Sequence, residues 1–142
     1  KIKQFLDENP DVEYLIGSSM GGFYVLCTEF AGRKIVINPL LQATKVLRYA
    51  VGTHQWRGKR TDGATEFTFT LEDAERFNHY TPKDSPQTVC HYTEHDQVLG
   101  EWTKEYYPTF FAHCKMVAEL KGHFLSEEYI QHRLCDAMQI KL

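Results

Sequence analysis

The feature that most constrains this chain is the segment Ile16–Gly22, which reads Ile-Gly-Ser-Ser-Met-Gly-Gly and contains a G-x-S-x-G box. An apolar run precedes the box and a helical pattern of apolar residues follows it, which predicts a sharp strand-to-helix turn. Such a turn holds its serine, Ser19, in a strained backbone conformation. We expect Gly17 and Gly21 to leave room there for the close approach of strand and helix.

The same turn favours a particular chemistry. Ser19 would point its hydroxyl away from the sheet, and the Met20 amide would lie at a helix N-terminus, where unpaired N–H groups favour a developing oxyanion. These features predict acyl transfer with Ser19 as the nucleophile. A glycine-rich turn that serves only packing would show the same pentapeptide, so the rest of the chain has to decide between the two interpretations.

The acid that a serine nucleophile needs is expected after a later strand, in the chain order Ser, acid, His. Residues Gln87–Glu94 are rich in β-formers, and polar residues follow them. Asp96 lies at the expected position of the acid. Glu94 is the alternative, but Asp96 is favoured because it precedes the apolar pair Val98-Leu99, which would pack the loop back.

The base is predicted at the end of the next strand. Residues Cys114–Leu120 form an apolar run that ends in Lys121-Gly122-His123, just before a helix that opens at Ser126. Only His123 combines a strand end, a preceding glycine and a following helix. The other six histidines are expected to be solvated or hydrogen-bonded side chains: His54, His79, His91, His95, His113 and His132.

Metal and nucleotide sites are not predicted. His91 and His95 have the i, i+4 spacing of a zinc pair on a helix, but on a strand they would lie about 13 Å apart. The glycine-rich stretch lacks both the G-x-G-x-x-G spacing and the lysine of a phosphate-binding loop. No cysteine lies at a predicted strand-to-helix turn, where an activated thiolate would be needed.

Four motifs together resemble the YqiA-like family of small bacterial esterases, within the α/β-hydrolase superfamily. They are Gly17–Tyr24, Ile35–Pro39, Glu94–Leu99 and Gly122–Phe124. The resemblance implies an α/β-hydrolase-like fold with a mostly parallel sheet flanked by helices. It also implies a serine carboxylesterase that cleaves short acyl esters or thioesters, with Ser19 as nucleophile, Asp96 as orienting acid and His123 as base. The resemblance implies no cofactor.

The start of the chain departs from that family, whose members begin with a strand that ends in a His-Gly turn and supplies the second oxyanion amide. This chain opens instead with a helical pattern at Ile2–Glu8. We expect that the first strands are missing, with roughly 40 to 60 further residues in the natural protein. Their removal would expose an apolar edge at Tyr14, Leu15 and Ile16 and favour a homo-oligomer. A non-catalytic, hydrolase-like binding domain is the alternative function.

Composition favours one soluble domain: of 142 residues, 42% are hydrophobic and 25% are charged. A net charge of −3 gives no electrostatic case for nucleic acid or anionic membranes. Four cysteines without C-x-x-C spacing are typical of reduced thiols in the cytoplasm. The expected partner is a small-molecule ester.

Residues 51–85 differ in character from the rest, with several glycines, many charges and an alternating Thr65–Thr70 before a predicted helix at 71–79. We interpret them as a cap-like insertion in the single domain 1–142. Its aromatic residues are candidates for an apolar acyl pocket, or they pack the insertion onto the sheet: Trp56, Phe67, Phe69, Phe77 and Tyr80. The other predicted elements are the strands 13–16 and 34–38 and the helices 21–30 and 102–111.

Overall fold

The computed structural model describes residues 1–93, 96–100, 102–113, 115–120, 122–124, 126–129, 134 and 138. In chain order the elements are α1 (Ile2–Glu8), β1 (Tyr14–Ser18), α2 (Met20–Cys27), β2 (Arg33–Ile37), α3 (Ala43–Leu47), β3 (Gly52–Gln55), β4 (Glu66–Phe69), α4 (Leu71–Glu75), β5 (Thr88–Thr93), α5 (Trp102–Phe110), β6 (Lys115–Leu120) and the helical turn α6 (Glu127–Tyr129). The chain divides into two compact units: Lys1–Leu41 with Pro82–Leu142, and Gln42–Thr81.

The first unit is built on a parallel sheet with the strand order β1-β2-β5-β6. Its register places Ile16 opposite Ile35, and Ile35 opposite Val89. Residues 34–37 of β2 are all buried, because a central strand of a parallel sheet is covered on both faces. This mixed α/β architecture, with a parallel sheet flanked by helices, is the coarse fold that the sequence predicts.

The core of this unit joins α2, α5 and the two central strands. Leu26 of α2 packs with Val36 of β2 and Cys90 of β5, and Tyr107 and Phe111 close the cluster from the end of α5. Burying side chains of this size contributes about 1.5–3 kcal/mol each. The carboxyl ends of the central strands are therefore held by a continuous core.

The strand β1 lies at one end of this sheet, and the apolar edge predicted there is only partly exposed. Ile16 is 40% exposed, whereas Leu15 packs against the core and Tyr14 is half-buried. The homo-oligomer expected from this edge stays a prediction. The Tyr14 hydroxyl donates to the carbonyl of Met138 at 2.8 Å.

The second unit contains the antiparallel pair β3-β4, with Gly52 opposite Phe69. The ring of Trp56 lies 4.4 Å from that of Phe67, and the Arg60 guanidinium lies 4.4 Å above the Trp56 ring. This unit spans residues 42–81, whereas the insertion was expected to span residues 51–85.

Several predicted elements end earlier than expected. The helix predicted to reach Phe30 ends at Cys27, because Thr28 is extended and its hydroxyl donates back to the carbonyl of Tyr24 at 2.7 Å. The helix predicted at 71–79 is α4 followed by a 3₁₀ turn at Arg76–His79.

Among the described helices, none has the length and apolar character needed to cross a membrane.

Candidate active site

Ser19 occupies the turn between β1 and α2 with a left-handed backbone, at φ 53° and ψ −117°. A non-glycine residue in such a region costs about 1–3 kcal/mol and persists only when its surroundings determine it. Here the Ser19 N–H donates to the carbonyl of Ile37 at 2.8 Å. The Ser19 carbonyl accepts from Phe23 N at 3.2 Å and from Leu40 N at 3.0 Å. Three backbone hydrogen bonds thus fix the strained residue to β2 and α2.

The glycines of the box have different roles from those expected. A Cβ on Gly17 would overlap the carbonyl of Gly21 and lie 2.7 Å from Gly22 N, so the close approach requires glycine there. A Cβ on Gly22 would lie 2.9 Å from the Pro39 Cβ. The prediction for Gly21 was wrong, since a Cβ there meets nothing within 4 Å. Gly22, and not Gly21, therefore packs against Pro39, which follows β2.

Asp96 and His123 are hydrogen-bonded to each other. Asp96 Oδ2 lies 2.8 Å from His123 Nδ1, and each residue is only 4% exposed. An ionised carboxylate can only accept, so this bond places the ring proton on Nδ1 and leaves Nε2 as the basic nitrogen.

The second carboxylate oxygen of Asp96 is held by its own turn. Asp96 Oδ1 accepts from Val98 N at 2.8 Å and from Leu99 N at 2.7 Å, and Leu99 is buried. An aspartate that accepts from backbone amides two and three residues on is typical of an Asx-type turn. Both oxygens of the buried carboxylate are therefore hydrogen-bonded, which lowers the cost of burying it.

Two further side chains hold the backbone of His123, and the sequence analysis missed both. Asn38 Nδ2 donates to the carbonyls of Gly122, at 3.3 Å, and His123, at 3.1 Å. Gln97 Oε1 accepts from His123 N at 3.2 Å. The signal for Asn38 was an asparagine directly after a buried strand and before a proline. Residues 37 and 38 therefore anchor both the Ser19 turn and the His123 segment.

Tyr107 supports the same region from α5. It is 1% exposed, and its hydroxyl donates to the carbonyl of Pro39 at 2.9 Å. Burial raises the pKa of Tyr107 far above its usual range, and the nearby Cys90 and Asp96 raise it further. The hydroxyl therefore stays protonated and keeps donating to the residue after Asn38.

The remaining predicted residues are distributed as follows. Met20 is the first residue of α2, so its N–H belongs to the first turn, whose amides have no partner within the helix. Glu94, the alternative acid, lies outside the described residues, as do His95 and His132. All five aromatic residues proposed for an acyl pocket belong to the second unit.

Other potential nucleophiles and bases of the first unit have different surroundings. Burial raises the pKa of the Cys27 thiol to about 11, so this cysteine is protonated at neutral pH and is a poor nucleophile. His91 is buried on β5, with its ring edge-on to Tyr129 at 5.5 Å. Neither residue lies in a strained strand-to-helix turn, as Ser19 does.

The fold is similar to a solved structure described as the esterase domain of a Rhodothermus marinus protein. The TM-score is 0.59 with 16% sequence identity, over 92% of this chain and 62% of that chain. The chain therefore spans less than two thirds of the length of the esterase-domain chain. No protein-family model matches the sequence, and no curated protein matches it. At this identity the likeness concerns the fold.

Proposed function

We propose that the protein is a serine hydrolase that cleaves short-chain acyl esters or thioesters, with Ser19, Asp96 and His123 as its triad. The observation that carries the proposal is the buried 2.8 Å hydrogen bond between Asp96 and His123, anchored through residues 37 and 38 to the strained Ser19. A strained serine and a carboxylate-bound imidazole are the two parts that such chemistry needs. A fold similar to an esterase domain adds support.

The proposed reaction begins when Ser19 Oγ attacks the carbonyl carbon of the ester and transfers its proton to His123 Nε2. Asp96 stabilises the imidazolium, and the Met20 N–H donates to the oxyanion. The intermediate then expels the alcohol or thiol, which takes the proton from His123. Water, deprotonated by His123, hydrolyses the acyl-serine and restores the enzyme.

Membership of the α/β-hydrolase superfamily and of the YqiA-like esterases is part of this proposal. The supporting pattern is the strand-to-helix turn at Ser19 followed by Ile-Asn-Pro at the end of β2. The aromatic residues of the second unit remain our candidates for the acyl pocket. These residues would give the pocket an apolar surface that binds a short acyl chain.

The proposal is tested with a fluorophosphonate probe, which labels activated serines. We expect one labelled residue, Ser19, and loss of labelling in Ser19→Ala and in His123→Ala. Ser18→Ala is the matched control, because Ser18 is the adjacent serine and is exposed on β1. Turnover of a short p-nitrophenyl ester should fall about 10³-fold or more in His123→Ala, because the general base is lost.

Labelling that persists in Ser19→Ala would contradict the proposed nucleophile. A folded wild-type protein that takes up no probe would favour the alternative function, a non-catalytic binding domain.

A further inference from the structure

Asn38 makes hydrogen bonds to two other segments of the first unit, β5 and the segment of His123. It is 0% exposed, and it follows β2 with a left-handed φ of 42°. Its N–H donates to the carbonyl of His91 at 2.9 Å, and its Oδ1 accepts from Thr93 N at 2.9 Å. Its Nδ2 donates to the carbonyls of Gly122 and His123. One side chain therefore connects the end of β2, the end of β5 and the segment of the base.

An asparagine is well matched to this position. The carboxamide has one acceptor and two donors, and it carries no charge. The acceptor faces an N–H of β5, while the donors face two carbonyls that lie 84 and 85 positions further along the chain. An aspartate of the same size would direct a negative charge at both carbonyls.

The contacts of Asn38 affect the base because the position of the His123 ring depends on the position of the His123 backbone. Asp96 holds only the ring, through Nδ1. The backbone is held on its carbonyl by Asn38 and on its N–H by Gln97. A shift of about 1 Å in a reacting group can cost about 10²-fold in rate.

We propose that Asn38 is a positioning residue, which sets the place of the His123 imidazole relative to Ser19 through the backbone carbonyls of residues 122 and 123. The inference rests on the proposed hydrolase function. It adds to the triad a buried residue that does not touch the substrate.

The test compares Asn38→Asp and Asn38→Gly in the full chain. Asn38→Asp keeps an oxygen that accepts from Thr93 N but replaces the two N–H donors with a second carboxylate oxygen. Asn38→Gly removes the side chain, and glycine adopts the positive φ without strain. For both we expect kcat to fall about 10²-fold with KM nearly unchanged. The downfield proton resonance of His123 Nδ1 should shift or broaden in both variants.

The matched control is Asn9→Asp. Asn9 Nδ2 also donates to a backbone carbonyl, that of Phe5 at 2.8 Å, but at the end of α1. This variant should leave kcat and the His123 resonance unchanged. If both Asn38 variants fold and keep kcat and the resonance of the wild type, the proposal is overturned.

A measurement on the wild-type protein covers the case in which neither variant folds. The Nδ2 protons of Asn38 should exchange with water far more slowly than those of Asn9, because they are buried and donate to two carbonyls. Equally fast exchange would overturn the inference. If the wild type shows neither turnover nor labelling of Ser19, the proposed function fails, while the resonance and the exchange rates still report on Asn38.

Discussion

The polar side chains that anchor the candidate site in the first unit and the ion pairs of the second unit are held in opposite ways. In the first unit, Asn38 and Asp96 are buried, and each makes several hydrogen bonds to the backbone. In the second unit the ion pairs Arg48–Glu75 and Arg60–Asp62 lie on the surface, with side chains 40–55% exposed. Buried groups must be fully bonded and so have one geometry, whereas exposed pairs compete with water and contribute little.

The sharpest test of this difference exchanges a carboxylate for an amide in each unit. Asp96→Asn should lower ester turnover about 10⁴-fold, because the amide favours the wrong imidazole tautomer. Asp62→Asn removes an exposed ion pair with Arg60 and should leave turnover nearly unchanged. The measurement is kcat/KM for a p-nitrophenyl ester, with circular dichroism to verify folding.

Glu94→Gln tests the alternative acid in the same assay. If Glu94→Gln lowers kcat/KM more than Asp96→Asn does, the acid is reassigned to Glu94. If Asp62→Asn and Asp96→Asn lower kcat/KM equally, the distinction between the units is lost.

A smaller effect is expected from packing at the serine turn. Gly17→Ala introduces a Cβ that overlaps the Gly21 carbonyl, so we expect a loss of about 3 kcal/mol in the free energy of unfolding. Gly21→Ala meets no neighbour within 4 Å and should be neutral or slightly stabilising, because alanine favours the helix. Urea denaturation compares the two. Equal stabilities would mean that the strand and helix can separate at little cost.

The smallest effect is expected at the start of α4 in the second unit. Thr70 Oγ1 accepts from Asp73 N at 3.1 Å, and Asp73 Oδ2 accepts from Thr70 N at 2.9 Å, which forms a capping box. Thr70→Ala should speed hydrogen exchange of the Asp73 amide about fivefold. Exchange in the first unit should not change. Thr70→Ser keeps the hydroxyl and serves as the control.

The local elements were predictable from sequence, but the contacts between distant segments were not. The box around Ser19 is a short-range pattern, and the strand-to-helix turn lies at that box. The alternation of residues 65–70 is another, and β4 lies within those residues. The bonds of Asn38 to residues 84 and 85 positions away depend on which strands become neighbours. The role of Gly22 depends in the same way on Pro39, a contact that no local pattern contains.

The hydrogen bonds of Ser19 have a consequence for inactivation. Its N–H and its carbonyl are bonded to Ile37 and Leu40, which flank the end of the central strand β2. The serine cannot leave its strained conformation unless those bonds open, and they lie at the end of β2, whose residues 34–37 are all buried. Partial loosening elsewhere would therefore spare the nucleophile. In a urea titration, loss of probe labelling should coincide with loss of the sheet, so chemical reactivity would report cooperative unfolding.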